Sequence, residues 1–454
     1  MARTNGQEVI PSAKRLIRSL RDIGYDFPTA VADLVDNSIE AGATKVTIDV
    51  EFDGNDSWVR ISDNGIGMRL EQLQEAMRYG SEREYDDEAD LGKFGLGLKT
   101  ASMSQCKRMI VASRGDIQQR EVHAYSWDMD HVDATNKWEI IKVPKRDLKF
   151  VLNHHLDGAT GTVVFWQKLD RIMGYKYPYG EMAKKRLLEM CRSLELHLAM
   201  VFHRFLSSEV PGKKLQIILN GNKVEPWDPF ARNEPNTQKL SIIPLHLEYE
   251  GKAGMVILEP YVLPHQDQFS SRDEFNRSSG PNKWNRQQGF YIYRANRLIQ
   301  SGGWSGLRTI DEHTKLARIS LSFSPHLDDA FKINVAKMKV QLPTQIREKI
   351  EAATTPVVKL ARNTYDNSNK KNTGATPHLG ASTLPTSVST GLNSGSRIQE
   401  PPTALSLGTV TPGTQTNKFW TLDELQHRLE YLAKPNEKPV ILRVIERLRK
   451  NINS

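Results

Sequence analysis

Asp33 and Asn37 stand four positions apart in Ala32-Asp33-Leu34-Val35-Asp36-Asn37-Ser38-Ile39-Glu40-Ala41-Gly42-Ala43. Read as a helix, that spacing puts both on one face. A carboxylate there can orient or deprotonate a water, and an amide oxygen can hold a hard cation that bridges phosphates. The plainer reading makes them exposed polar positions on an amphipathic helix. Next comes Asp63-Asn64-Gly65-Ile66-Gly67-Met68. A buried Asp63 carboxylate can accept a hydrogen bond from an adenine amino group, with Gly65 and Gly67 letting the backbone come close; alone, the same residues make an Asp-Asn-Gly turn. In Gly92-Lys93-Phe94-Gly95-Leu96-Gly97-Leu98-Lys99, three glycines and two lysines make a loop whose N–H groups can cradle phosphates. It lacks the Gly-Lys-Ser/Thr ending of a Walker A loop, and elsewhere it would read equally well as a flexible surface loop. Thr162, in Gly161-Thr162-Val163-Val164, is the weakest of the four clusters, since such residues begin many strands.

The elements that must position these residues are legible from periodicity. Leu16, Ile17, Leu20 and Ile23 mark an amphipathic helix over 11–24. Pro28 and Thr29 punctuate the start of the helix that carries Asp33 and Asn37, and Gly42 ends it. Val46, Ile48, Val50 and Phe52 alternate as in a half-buried strand, and Trp58–Ile61 runs into Asp63. Further strands are expected at 109–112 and 162–166. The result is an α+β sandwich with one mostly antiparallel sheet. A long helix over 181–206 leads to a second strand-rich region at 213–345, closed by a helix over 345–363. The expected division is 1–185, 186–363, a disordered linker at 364–418 and a helical tail at 419–454. The linker is rich in Ser, Thr, Asn, Gly and Pro. The tail opens on a capping box, Thr421-Leu422-Asp423-Glu424. Its apolar faces are too small to fold alone, so it is expected to dock on the body, a second copy or another protein.

Composition narrows the class. A chain of 454 residues supports two or three domains. No apolar run approaches a membrane span, and Met1–Gly6 lacks the apolar core of a signal peptide. Cys106 and Cys191 are too few for a disulfide framework, so a reducing, cytoplasmic setting is expected. A net charge of +8 permits a polyanionic partner without demanding one.

In order and spacing, the four clusters resemble the nucleotide-binding boxes of the GHKL ATPases: gyrase B, Hsp90, the histidine-kinase ATP domain, MutL and MORC. The nearest resemblance is to the MORC and MutL branch. Tyr79-Gly80-Ser81 and Gly92–Met103 are similar to the MORC lid, and Phe290–Ile299 to a MORC second-domain strand. Ile333-Asn334-Val335-Ala336-Lys337-Met338-Lys339-Val340 resembles the end of MutL's S5-like transducer domain. The resemblance covers about residues 10–350 and stops before the linker.

It implies an ATP and Mg2+ site with Asp33 as the catalytic carboxylate and Asn37 as metal ligand. Asp63, Gly65, Gly67, Met68, Thr162 and the Gly92–Lys99 lid would bind nucleotide. Lys337 would sense the γ-phosphate, with Lys339 as its rival. It further implies dimerisation on ATP binding and action on DNA, in DNA metabolism or anti-phage defence. The chain departs from the pattern at Asp33, where these ATPases usually carry Glu; the shorter side chain implies slow hydrolysis or an extra water. Two alternatives remain: an Hsp90-like chaperone, and an interaction module using ATP structurally.

Overall fold

The computed structural model describes residues 9–22, 24–80, 97–116, 118, 121–157, 159–333 and 340–373. Helix α1 (Ala13–Arg21) is capped by Ser12, and α2 (Phe27–Glu40) by Asp26, whose side chain accepts the Thr29 N–H. Pro28 sits in the first turn of α2, where a missing N–H breaks no helical bond. Then follow β1 (Lys45–Glu51), β2 (Trp58–Asp63), α3 (Leu70–Met77) and α4 (Gly97–Met103). After these come β3 (Arg108–Arg114), β4 (His123–Asp128), α5 (Met129–Thr135), β5 (Ile141–Lys142), α6 (Lys145–Leu152) and β6 (Gly161–Gln167). Helices α7 (Glu181–Val201) and α8 (His203–Leu206) lead to β7 (Gln216–Leu219) and β8 (Asn222–Lys223).

These strands form one sheet in the order β5-β4-β3-β6-β2-β1-β7-β8. It is antiparallel except where β7 joins β1. Strand alternation sends Met109, Val111, Val164 and Trp166 to the face that packs on α1, α2 and α7. Their neighbours Ile110, Ala112, Val163 and Phe165 go to the other face, which α6 covers with Val151 and Leu148. The expected α+β sandwich is thus present. By sheet membership the first body runs on to Lys223, past the division drawn at 185, because α7 and α8 return the chain to the edge of β1.

The second sheet contains β9 (Gln238–Lys239), β10 (Ile243–Tyr249), β11 (Lys252–Val262), β12 (Gly289–Arg294), β13 (Arg297–Ser301) and β14 (Ala317–Phe323). Its order is β10-β11-β14-β12-β13, with β9 beside β11. Short helices α9 (Arg272–Ser278), α10 (Lys283–Gln287) and α11 (Asp328–Phe331) cover its connections. One apolar core runs continuously through both sheets. At the joint, His203 Nε2 lies 2.8 Å from the Tyr293 hydroxyl, and the Arg204 guanidinium stacks 3.6 Å from the Tyr293 ring centroid.

Helix α12 (Thr344–Thr373) corrects the expected linker, which was to begin at 364. The helix continues because Tyr365 packs on His265 and His313 and bonds Glu312, while Asp366 pairs with His313. Composition does not report such docking contacts. The rest of the linker, the 419–454 tail, Gly92, Lys93, Phe94, Gly95, Leu96, Lys337 and Lys339 lie outside the described residues. Among the described residues no helix is long and apolar enough to cross a membrane.

Candidate functional site

Sheet register builds the first half of the site. Asp63 ends β2 directly across from Thr162 of β6, and Thr162 lies across from Ser113 of β3. Opposed residues share a face, so three polar side chains stand in a row beneath α2. Asp63 Oδ1 accepts the N–H groups of Gly65 (2.9 Å) and Thr162 (3.3 Å), and Oδ2 lies 3.1 Å from the Ser38 hydroxyl, whose hydrogen it shares with the Leu34 carbonyl, also at 3.1 Å. Ser113 Oγ donates to the Gly161 carbonyl and accepts the Met68 N–H, both at 2.9 Å. Its single hydrogen is spent on Gly161, so the 2.9 Å contact with Thr162 Oγ1 takes its hydrogen from Thr162. Burial pushes the Asp63 carboxyl above its ordinary range, and the three donors pull it back only in part.

The two glycines after Asp63 are demanded by the protein's own packing. A Cβ at Gly65 would stand 2.8 Å from the Ala41 carbonyl oxygen at the end of α2. Gly67 has φ +67°, and a Cβ there would lie 2.0 Å from the Arg114 carbonyl oxygen. Asn64, just before them, holds the start of β1: its Oδ1 accepts the N–H groups of Thr44 and Lys45 at 2.9 Å each. The Asp-Asn-Gly turn and the buried carboxylate, weighed as alternatives from sequence, are therefore both present.

The second half lies one to two turns earlier on α2. Asp33 is 3 % exposed, and its Oδ2 accepts the Tyr25 hydroxyl at 2.7 Å. Burial and the Asp33 charge push Tyr25 far above its ordinary value, so the phenol remains the donor. Arg297 of β13 reaches α2 from the second sheet. Its Nε donates to Asp36 Oδ1 at 2.9 Å, and a terminal nitrogen stands 3.8 Å from Asp33 Oδ1. Asn37, one turn after Asp33, is partly exposed. The first residue of α4 closes on the same place: a Cβ at Gly97 would be 3.6 Å from Asp33 Oδ2.

Of the described lid residues, Leu98 packs against the core. Lys99 is 2 % exposed and donates to the Ala76 carbonyl at 3.0 Å, in the last turn of α3. Burial pushes its ammonium down to about 8 against the pull of Glu75. A cation at a helix C-terminus is electrostatically favoured, and the sequence, which suggests Lys99 for a phosphate cradle, does not reveal this contact. Sequence reasoning passed over Tyr25, Asp36, Ser38, Ser113 and Arg297. Ser38 is flagged only by adjoining Asn37; Ser113 and Arg297 carry no local signal.

Apart from Arg297, this network falls within the span of a family match. A family model described as histidine kinase-, DNA gyrase B-, and HSP90-like ATPase matches residues 25–162, from Tyr25 to Thr162. The DNA mismatch repair protein MutL of Enterobacter sp. (strain 638) is 35% identical over 113 residues, 24% of this chain and 18% of the relative. MutL of Escherichia coli O1:K1 / APEC and of Escherichia coli O157:H7 (strain EC4115 / EHEC) match with the same identity and coverage. The chain thus spans under a fifth of the length of these relatives. Residues 25–162 thus form a domain similar to those of the GHKL ATPases.

Proposed function

We propose that residues 25–162 bind Mg-ATP and hydrolyse it slowly, and that the chain is a nucleotide-driven switch of the MutL and MORC kind. The observation that carries this reading is the Asp63 carboxylate. Its Oδ1 already takes two N–H donors and Oδ2 shares one hydroxyl hydrogen, which leaves Oδ2 the capacity for one more donor. An adenine amino group fits that vacancy in hydrogen-bonding capacity. The row of Thr162 and Ser113 beside it offers further polar contact.

Asp33, held by Tyr25, orients the attacking water or takes its proton. Asn37 supplies an amide oxygen, a donor that suits a magnesium ion keeping several waters and phosphate oxygens in its shell. When bound, that ion neutralises charge on the phosphates. The lid, Gly92, Lys93, Phe94, Gly95 and Leu96 with Gly97 and Leu98, covers the phosphates, and Lys337 contacts the terminal one. Homodimerisation on ATP binding, passage of DNA through the closed dimer, partner docking by residues 419–454, a role in defence and a cytoplasmic setting extend the same reading. Only a higher affinity of ATP for the closed state can drive such a change.

Calorimetry with Mg-ATP tests the site. Asn37→Ala abolishes Mg-ATP binding if the reading holds, and unchanged affinity in that variant overturns it. DNA-stimulated turnover that weakens steeply with salt would support the clamp, since phosphate contacts release counterions.

A further inference from the structure

We propose that Arg297 is a positioning residue for hydrolysis, one that makes the orientation of the Asp33 carboxylate depend on where the second sheet sits. This rests on the reading of Asp33 as the group that handles the attacking water. Arg297 begins β13, and its side chain is 3 % exposed. It meets two carboxylates on α2: Asp36, with Nε 2.7 Å from Oδ2 and 2.9 Å from Oδ1, and Asp33, 3.8 Å from a terminal nitrogen. Both acids are themselves almost wholly buried, at 3 % for Asp33 and 1 % for Asp36. Tyr25 holds the other oxygen of Asp33 at 2.7 Å. The Asp33 carboxylate is therefore framed by a phenol from just before α2 and by a guanidinium from another sheet.

The geometry divides the labour of the arginine. Asp36 anchors it through the close contact; Asp33 receives the looser one. A displacement of β13 by an ångström or two would leave the anchor able to follow by rotation while changing the distance to Asp33 in proportion. A cavity of about 200 Å³ is lined by Arg297 together with Asp26, Thr29, His197, Met200 and Ser301. The guanidinium carbon lies 5.9 Å from the Phe202 ring centroid, at the end of α7. The arginine thus sits where the α7 crossover, the second sheet and the catalytic helix meet.

Steady-state ATP hydrolysis and calorimetric Mg-ATP binding, measured on the full chain, test this. The informative variant is Asp36→Leu with Arg297→Met, because replacing a buried ion pair by apolar side chains usually preserves folding. We expect it to bind Mg-ATP within about threefold of the parent and to turn over at least tenfold more slowly, with KM little changed. Arg297→Lys, which keeps the charge but not the fork, should fall between the two. Parental turnover in the double variant, with melting and binding intact, overturns the proposal. Should the double variant not fold, Arg297→Lys decides: a drop in kcat at constant KM supports the role, and parental kcat removes it. A parent chain that binds no nucleotide overturns the functional reading and this inference together, and the parent isotherm alone shows that result.

Discussion

The two ends of α2 are built by different means. At its C-terminal end, Ser38, Asp63, Thr162 and Ser113 meet because three neighbouring antiparallel strands share a register, and each pairing is repeated down the whole strand. Earlier on the helix, Asp33 and Asp36 meet an arginine, 261 positions beyond Asp36, whose arrival depends on the docking of a second sheet. Redundant strand pairing makes the first region hard to displace. A single side chain crossing a joint makes the second sensitive to domain position. A switch needs both: a fixed place to grip the base and a movable place to govern the chemistry.

The largest test of that contrast is Arg297→Ala, which removes a buried cation from beside two buried carboxylates. It should cost about 3–5 kcal/mol in urea unfolding. A loss below about 1 kcal/mol would mean that the joint does not depend on the pair. Asp63→Ala aims at the other region and should weaken Mg-ATP about 100-fold, equivalent to about 2.7 kcal/mol by calorimetry. In the parent, affinity should fall on acidification as Asp63 takes up a proton. Because burial raises its pKa, that loss should begin at higher pH than for an ordinary carboxylate. Affinity constant down to the usual carboxylate range would argue against Asp63 as the acceptor.

Gly67→Ala should cost about 2 kcal/mol, from a left-handed backbone and a clash with the Arg114 carbonyl; a melting curve unmoved by the change would contradict the packing described. The smallest effect concerns the joint. Burial pushes His203 down to about 3, while the unfolded chain protonates it near the ordinary value, about 6.5. Between those values the unfolded state binds the extra proton. Stability should therefore drop by about 1 kcal/mol per pH unit as pH falls below about 6. Replacing His203 by Gln should flatten that slope, and an unaltered slope would place its origin elsewhere.

Much of the first sheet could be anticipated because its evidence is local. The alternation of Val46, Ile48 and Val50 and the apolar stripe of α7 are visible in short windows. The contact of Lys99 was not legible, for the opposite reason. Its neighbours Gly95 and Gly97 suggest a phosphate loop, yet Lys99 falls on the third residue of α4, where it reaches Ala76. Residues 364–373 read as linker because their composition is polar. A few contacts from Tyr365 and Asp366 suffice to extend the helix, and composition cannot count contacts.

By itself the sequence determined which groups could do chemistry: an acid and an amide one turn apart on a helix, an acid before two close glycines, and a glycine-lysine loop. It did so because helix and strand periods are properties of neighbouring residues. Only the tertiary structure decided which of these groups share an environment. It gave Asp63 its three donors, sent Lys99 to the end of α3, and brought Arg297 to Asp36. Those outcomes depend on strand register and sheet docking, where residues distant in the chain meet because burying their apolar neighbours leaves them no other place.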